Sequence, residues 1–311
     1  MIRHYQHHQI DKKKWDDCIR HSANTMIYAY SWYLDVVCKN WEALIEDDYK
    51  SVFPLTCRKK SGINYLFQPA FTQQLGLFSI QNISEQIVSD FVEAIPKKYK
   101  IIEINLNTGN SFTSIDFSVE NNLTLELPLK SNYDELFRNY STNIKRNIKK
   151  AYAANIFIRD KANLNEIVNI FRKNRGKDIR TLQNKEYQIL IQLVEECKNR
   201  EGAEVFGAYT PDNELCAGAV FVKTNSRSIF LFSSTNELAK NTSAMSLLID
   251  HFIKSHSSQD IILDFEGSND PDLARFYKSF GSKEKYYLQI ILHRLPPLLQ
   301  KGMSVYKKIR K

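Results

Sequence analysis

Apolar positions in the second half of the chain change period repeatedly, and each change predicts a new element. Residues 133–154 read as one long helix or two, residues 156–159 as a short strand, and residues 165–174 and 185–200 as helices. Three strand-like runs follow at 204–209, 215–224 and 228–233, the first two joined by the turn-like Pro211-Asp212-Asn213. Residues 243–254 then place Met245, Leu248, Ile249 and Phe252 on one helical stripe. The apolar run 261–265 stops at Glu266-Gly267-Ser268, after which Asp270 or Asp272 offers a side chain to cap a helix start. Leu273, Phe276, Tyr277 and Phe280 fall at i, i+3, i+4 and i+7, which predicts an inward stripe until Gly281 ends the helix and a last strand begins. From residue 156 onward the order is therefore β α α β β β α β α β.

The first half reads as a weaker copy of the same plan. A strand over 2–9 precedes helices at 11–21 and 31–39, strands at 42–46, 51–58 and 63–67, a helix at 84–95 and a strand at 101–106. A closing strand is expected at 123–127, and no helical pattern stands out just before it. The division falls at 128–132. It gives a first domain over 1–128, a second over 129–293 that carries the main motifs, and a basic tail over 294–311 expected to form a helix returning to the first domain.

Composition supports folded domains without choosing their chemistry. A chain of 311 residues with 43% hydrophobic and 25% charged residues has enough apolar material for two cores and is too apolar for disorder. No window approaches a membrane span, and the polar start MIRHYQHHQIDKKK lacks the apolar segment of a secretory signal. A cytoplasmic protein without integral membrane association is the expectation. Five cysteines form no CxxC pair, and His4, His7 and His8 have no carboxylate or cysteine companions at ligand spacing, so no metal site is expected. GxSxG, GxxxxGK[ST] and GxGxxG patterns are absent, which argues against hydrolase-elbow, P-loop and Rossmann chemistry. The net charge of +8 is unevenly placed. Residues 138–161 hold seven basic residues against Asp160, and the tail after His293 holds six with no acid, so two basic surfaces could meet an anionic partner.

Residues 261–291, IILDFEGSNDPDLARFYKSFGSKEKYYLQII, resemble the DFxGS...FYKxFG signature of Fem-type (FemAB-like) aminoacyl and acyl transferases, a branch of the GNAT acyltransferase superfamily. The element order from residue 156 is similar to that fold as well. NIKRNIKKA, residues 143–151, resembles the basic helix that opens the second domain in these families, and FQPAFTQQLG, residues 67–76, resembles a cleft-facing loop of the first. The resemblance implies an α+β fold of tandem GNAT-like domains with mixed central sheets. It further implies an N-acyltransferase moving an acyl or aminoacyl group from an anionic donor to an amine held between the domains. Acyl-CoA, acyl carrier protein and aminoacyl-tRNA are the candidate donors.

GNAT-type chemistry needs a neutral amine, a group to take its proton and a means of stabilising an oxyanion. Glu266, just past a strand end, is the candidate base, although an acid structuring the turn before a helix fits equally well. Lys278 resembles the lysine of the Fem-type FKxxFG motif, placed to meet the donor carbonyl; an exposed lysine is its plainer reading. Tyr277 is a candidate acid that also suits the apolar stripe. Ser233 and Ser234, at a strand end, are candidates for the acyl carbonyl or thioester arm.

The resemblance puts the donor between the strands at 228–233 and 261–265, with its phosphates at the helix start formed by Asn241, Thr242 and Ser243. No glycine occurs there, unlike the usual glycine-rich loop, and this weakens an acetyl-CoA assignment more than acyl transfer itself. Lys145, Arg146, Lys149 and Lys150 are i, i+4 neighbours suited to donor phosphates or to a solvated face. Gln68, Gln73 and Gln74 are acceptor candidates, or parts of a turn pinned by Pro69 and Gly76. A noncatalytic GNAT-like module that binds nucleic acid or another polyanion is the alternative to an enzyme.

Overall fold

A computed structural model describes residues 1–179, 181–267 and 269–295. The described chain divides into two compact units, one of residues 1–122 with residues 286–295, the other of residues 123–285. The division therefore lies a few residues before the expected 128–132, and residues 286–293, expected in the second domain, belong with the first unit. The reason is pairing: the C-terminal strand runs antiparallel to a strand of the first unit, with Gln289 opposite Asn105 and His293 opposite Ile101. The tail expected to form a helix lies outside the described residues beyond Leu295.

The first unit contains β1 (Ile2–Tyr5), α1 (Lys12–His21), α2 (Ser31–Val37), β2 (Glu42–Glu46), β3 (Ser51–Leu55), β4 (Cys57–Lys60), β5 (Ile63–Phe67), β6 (Phe78–Ser79), α3 (Glu85–Glu93) and β7 (Tyr99–Asn105). Strands β1-β2-β3-β6 form an antiparallel sheet. In a mixed set, β4 pairs antiparallel with β5, and β5 parallel with β7. The Asp11 carboxylate starts α1 by accepting from the Lys13 and Lys14 amides at 3.0 and 3.1 Å. Phe53, Phe91, Val92, Ile102 and Leu106 form the core between sheet and helix. The first-half histidines serve structure: His4 meets Glu42 and His7 meets Asp35. No helix lies between β7 and β8 (Ser118–Pro128), in keeping with the missing helical pattern there.

The second unit takes in the end of β8, then α4 (Tyr133–Arg138), α5 (Thr142–Ala153), β9 (Phe157–Asp160), α6 (Leu164–Lys173), α7 (Asn184–Lys198), β10 (Ala203–Tyr209), β11 (Leu215–Lys223), β12 (Arg227–Thr235), α8 (Glu237–Thr242), α9 (Ala244–Ser255), β13 (Ile262–Asp264) and α10 (Pro271–Lys278); β14 (Lys283–His293) leads back to the first unit. Strands β9 to β12 are an antiparallel meander, β13 is parallel to β12, and β8 is antiparallel to β13. Antiparallel neighbours need only short turns, whereas the parallel β12–β13 pair requires a crossover, which α8 and α9 supply. Phe252 of α9 stacks on Phe221 of β11 with centroids 3.7 Å apart, both fully buried, and this contact fastens the crossover to the sheet.

Two local departures shape the surroundings of α9 and α10. The helix expected from residue 243 is preceded by a separate short helix, α8, whose N-cap Asn236 accepts from the Ala239 amide at 2.9 Å. Ser243 breaks the two apart with a left-handed φ of +61°. In α10, Asp270 is the cap, with Pro271 at the first helical position, while Tyr277 and Phe280 are buried as expected and Leu273 is 41% exposed.

Candidate functional site in the second unit

Strand β13 ends early. Its parallel register with β12 runs Arg227–Ile262, Ser228–Leu263, Ile229–Asp264 and then stops, while β12 continues to Thr235. Past Ile229 that edge of β12 has lost its β13 partner, and a cavity of about 810 Å³ opens in this region. Its walls come from the end of β12 (Phe230, Ser233, Ser234, Thr235), the α8–α9 junction (Lys240, Ser243, Met245), α10 (Leu273, Phe276, Tyr277), Phe171 of α6 and Asn147 of α5. A strand end, a helix start and an aromatic wall therefore converge.

Of the residues singled out in the sequence, Ser233, Ser234, Ser243 and Tyr277 meet on this cavity. Ser234 is 4% exposed, and its Oγ has no hydrogen-bond partner among the described residues. A buried hydroxyl in that state is costly unless a ligand or water completes it. Tyr277 stacks on Phe265 at 4.8 Å and 18° and meets Phe230 edge-on. Burial, with a smaller contribution from the nearby Glu266 charge, raises its phenol well above the ordinary tyrosine range.

Glu266 does not line the cavity, but its charge acts on Tyr277, which does. Its Oε1 is shielded from solvent, and burial pushes its carboxyl up to about 8. Both Glu266 and Gly267 are left-handed, with φ of +50° and +55°.

Other candidates lie elsewhere. Lys278, at the end of α10, forms an ion pair with Glu284, is roughly half exposed, and does not line the cavity. Lys145 donates to the Arg138 carbonyl at 2.9 Å and sits over the Phe137 ring, Arg146 reaches Asn143, and Lys149 is exposed; α5 offers the cavity Asn147 instead. Asn241 is exposed, and Thr242 donates to the Leu238 carbonyl of its own helix at 2.7 Å, so only Ser243 of that trio lines the cavity. In the first unit, Gln68 donates to the Thr72 carbonyl and accepts from the Asn105 amide, Gln74 accepts from the Thr108 amide, and the Gln73 carbonyl accepts from the Asn105 side chain. These bonds account for the shape of the 67–76 loop.

Several cavity residues carried no sequence signal. Arg175 and Lys177, in the short turn Arg175–Asp178, are exposed cations at the cavity with no ion pair among the described residues, while Lys240 is paired with Glu237 at 2.6 Å. Their nearness to β12 depends on α6 packing across the meander, where Phe171 meets Phe232 at 4.7 Å. Such a contact spans some sixty residues of sequence and follows no period. Among the described residues no group of histidine, cysteine or carboxylate side chains could hold a metal, and no helix is long and apolar enough to cross a membrane.

Removing Lys278 is expected to have a small effect. An exposed ion pair contributes about 0–1 kcal/mol, so Lys278→Met should leave thermal stability nearly unchanged and any turnover at the cavity within about tenfold of wild type. A loss of about 10²-fold or more in turnover would return the lysine to the site.

Residues 138–279 match the family model described as an acetyltransferase (GNAT) domain. No curated protein sequence matches the chain. Among solved structures, FemX superposes with a TM-score of 0.63 at 11% identity, covering 98% of this chain and 100% of that one. The C-terminal domain of a putative lysylphosphatidylglycerol synthetase from Agrobacterium fabrum has a TM-score of 0.55 at 9% identity and covers 90% of each chain. L-PGS from Bacillus licheniformis has a TM-score of 0.55 at 8% identity and covers 96% of each. Identities this low speak to fold alone. Residues 138–279 thus match a GNAT acetyltransferase domain, and the chain as a whole shares the tandem GNAT-like fold seen in FemX.

Proposed function

We propose that the protein is an N-acyltransferase that moves an acyl or aminoacyl group from an activated ester or thioester donor to an amine. The observation that carries this reading is that every residue lining the cavity beside the β12–β13 divergence falls inside the matched GNAT domain. A noncatalytic module needs no such cavity. The exposed Arg146, Lys149 and Lys150 on α5 are the surface that the polyanion-binding alternative would use.

In this reading the amine nitrogen attacks the donor carbonyl carbon, the bond to the sulfur or oxygen leaving group breaks, and the amine proton passes through water to Glu266. Tyr277 stays neutral near pH 7 and can deliver a proton to the leaving group. The Ser234 hydroxyl and the start of α9, which has no side-chain cap, offer donors to the acyl carbonyl or to an anionic part of the donor substrate. Arg175 and Lys177 are better placed for donor phosphates than the cations of α5. Acyl-CoA, acyl carrier protein and aminoacyl-tRNA all present the required combination of activated carbonyl and negative charge.

Mass spectrometry of ligands that copurify with the protein tests the reading, followed by transfer assays with those three donor classes and a panel of primary amines. An amide product that falls about tenfold or more in Tyr277→Phe is the expected result. Copurifying nucleic acid, with no amide product from any donor, would establish the noncatalytic alternative.

A further inference from the structure

The fork where β12 and β13 part is built around a buried charge cluster that the cavity does not touch. Asp264, the last residue of β13, is 1% exposed and has both carboxylate oxygens engaged. Oδ1 accepts from the Thr124 hydroxyl at 2.6 Å and from the Glu266 backbone amide at 3.1 Å. Oδ2 accepts from Arg227 at 2.8 Å, and Arg227 also donates to Glu126 at 2.7 Å. Thr124 and Glu126 belong to β8 and Arg227 to β12, so the carboxylate is gripped from the strands on both sides. Directly after it, the Phe265 amide donates to the Leu125 carbonyl at 2.9 Å, and the Phe265 ring stacks on Tyr277.

We infer that Asp264 is a positioning residue: clamped by Arg227 and Thr124, it holds the Glu266–Gly267 turn in its left-handed form and thereby keeps the Glu266 carboxyl buried beside Tyr277. This role rests on the proposed part of Glu266 in acyl transfer. Its physical basis is conformational. A side chain other than glycine, asparagine or aspartate adopts positive φ at a cost and persists there only where its surroundings dictate it. Here the dictating contact is the hydrogen bond from the Glu266 amide to a carboxylate that is itself immobilised. Free rotation at residue 266 would let a long carboxyl side chain turn toward water, where its charged form is favoured. The clamp opposes that movement. The ionisable groups around the turn are Asp264 with Arg227 and Glu126 behind it, and Tyr277 and Asp270 on α10.

The test needs no substrate. The titration midpoint of Glu266 is read from the difference in thermal midpoint between each protein and its Glu266→Gln counterpart across pH 4 to 10. In the wild-type background the midpoint is expected near pH 8. Asp264→Asn should lower it by at least about one pH unit, a tenfold shift in the protonation equilibrium. Because that change also removes a negative charge, Thr124→Val provides the second arm: it keeps the carboxylate and removes one clamp, and should shift the midpoint the same way by a smaller amount. If Asp264→Asn fails to fold, the Thr124→Val arm decides alone. A Glu266 midpoint that stays near pH 8 in Thr124→Val would overturn the positioning role and leave the acyl-transfer reading untouched. A wild-type rate in Glu266→Gln, assayed with an identified donor, would instead remove Glu266 from the reaction while leaving the clamp measurable by titration.

Discussion

Glu266→Gln should lower acyl-transfer turnover by about 10²- to 10⁴-fold and at the same time raise thermal stability at alkaline pH. Both effects come from one carboxyl. Burial raises it from the ordinary glutamate value of 4.5 to about 8, so at pH 7 only about a tenth of the folded molecules hold the carboxylate that the proposed reaction requires as its proton acceptor. Turnover should therefore climb with pH through about 8 and then level, and the glutamine variant should lose that limb. The stability effect has a definite sign. Below pH 4.5 the group is protonated folded and unfolded alike, and its neutral buried form is fully compatible with the fold. Between 4.5 and 8 the unfolded chain ionises first, so stability is lost as pH rises, and the loss is complete above 8. Glutamine does not ionise. Its advantage should grow across that window to on the order of 4 kcal/mol, which differential scanning calorimetry of the two proteins at pH 5 and pH 9 will resolve as several degrees. Equal midpoints at pH 9 would mean that the carboxyl reaches water.

The largest loss of stability is expected from Arg227→Leu. Arg227 holds Glu126 and Asp264 at 2.7 and 2.8 Å, and all three side chains are at most 12% exposed. Removing the cation leaves two carboxylates close together and shielded from water, which costs about 3–5 kcal/mol before any repacking. Chemical denaturation should show this as a lower midpoint with little change in slope. Replacing the cluster as a whole, with Glu126→Gln and Asp264→Asn added, should restore part of the stability, because the variant then buries dipoles rather than charges. A triple variant no more stable than Arg227→Leu would show that packing of the arginine stem, rather than charge compensation, sets the energy.

Apart from the short helix α8, the element order of residues 156–293 was legible because helices and strands here carry their own periods and caps. The 3.6-residue stripe of Met245, Leu248, Ile249 and Phe252 does form α9, and Asp270 does cap α10. The resemblance carried by DFEGS and FYKSFG pointed to the GNAT fold for the same reason: a strand end, a capped helix and a glycine at the helix exit lie within one short segment. Gly281 adopts the left-handed φ of +85° expected of it, with Asn139 3.1 Å from where a Cβ would stand.

What the sequence determined by itself was local: which residues are helical or extended, where helices are capped, that Ser233, Ser234 and Ser243 stand at element ends where chemistry is often placed, and that Tyr277 lies on an apolar stripe. Tertiary packing alone decided which of the polar candidates share a cavity. Lys278 follows Tyr277 directly, yet it points to Glu284 while Tyr277 faces the cavity, because adjacent helical side chains diverge by about 100°. The cations of α5 form a clear charge run, but Arg175 and Lys177, from a turn with no motif, are the ones that reach the cavity. Arg227, Glu126, Asp264 and Thr124 are scattered over 141 positions and become one cluster only through the pairing of β8, β13 and β12. Periodicity reports what one element does along its own axis; a buried ion cluster and a cavity depend on how elements meet, and that is set by strand register and by the length at which β13 stops.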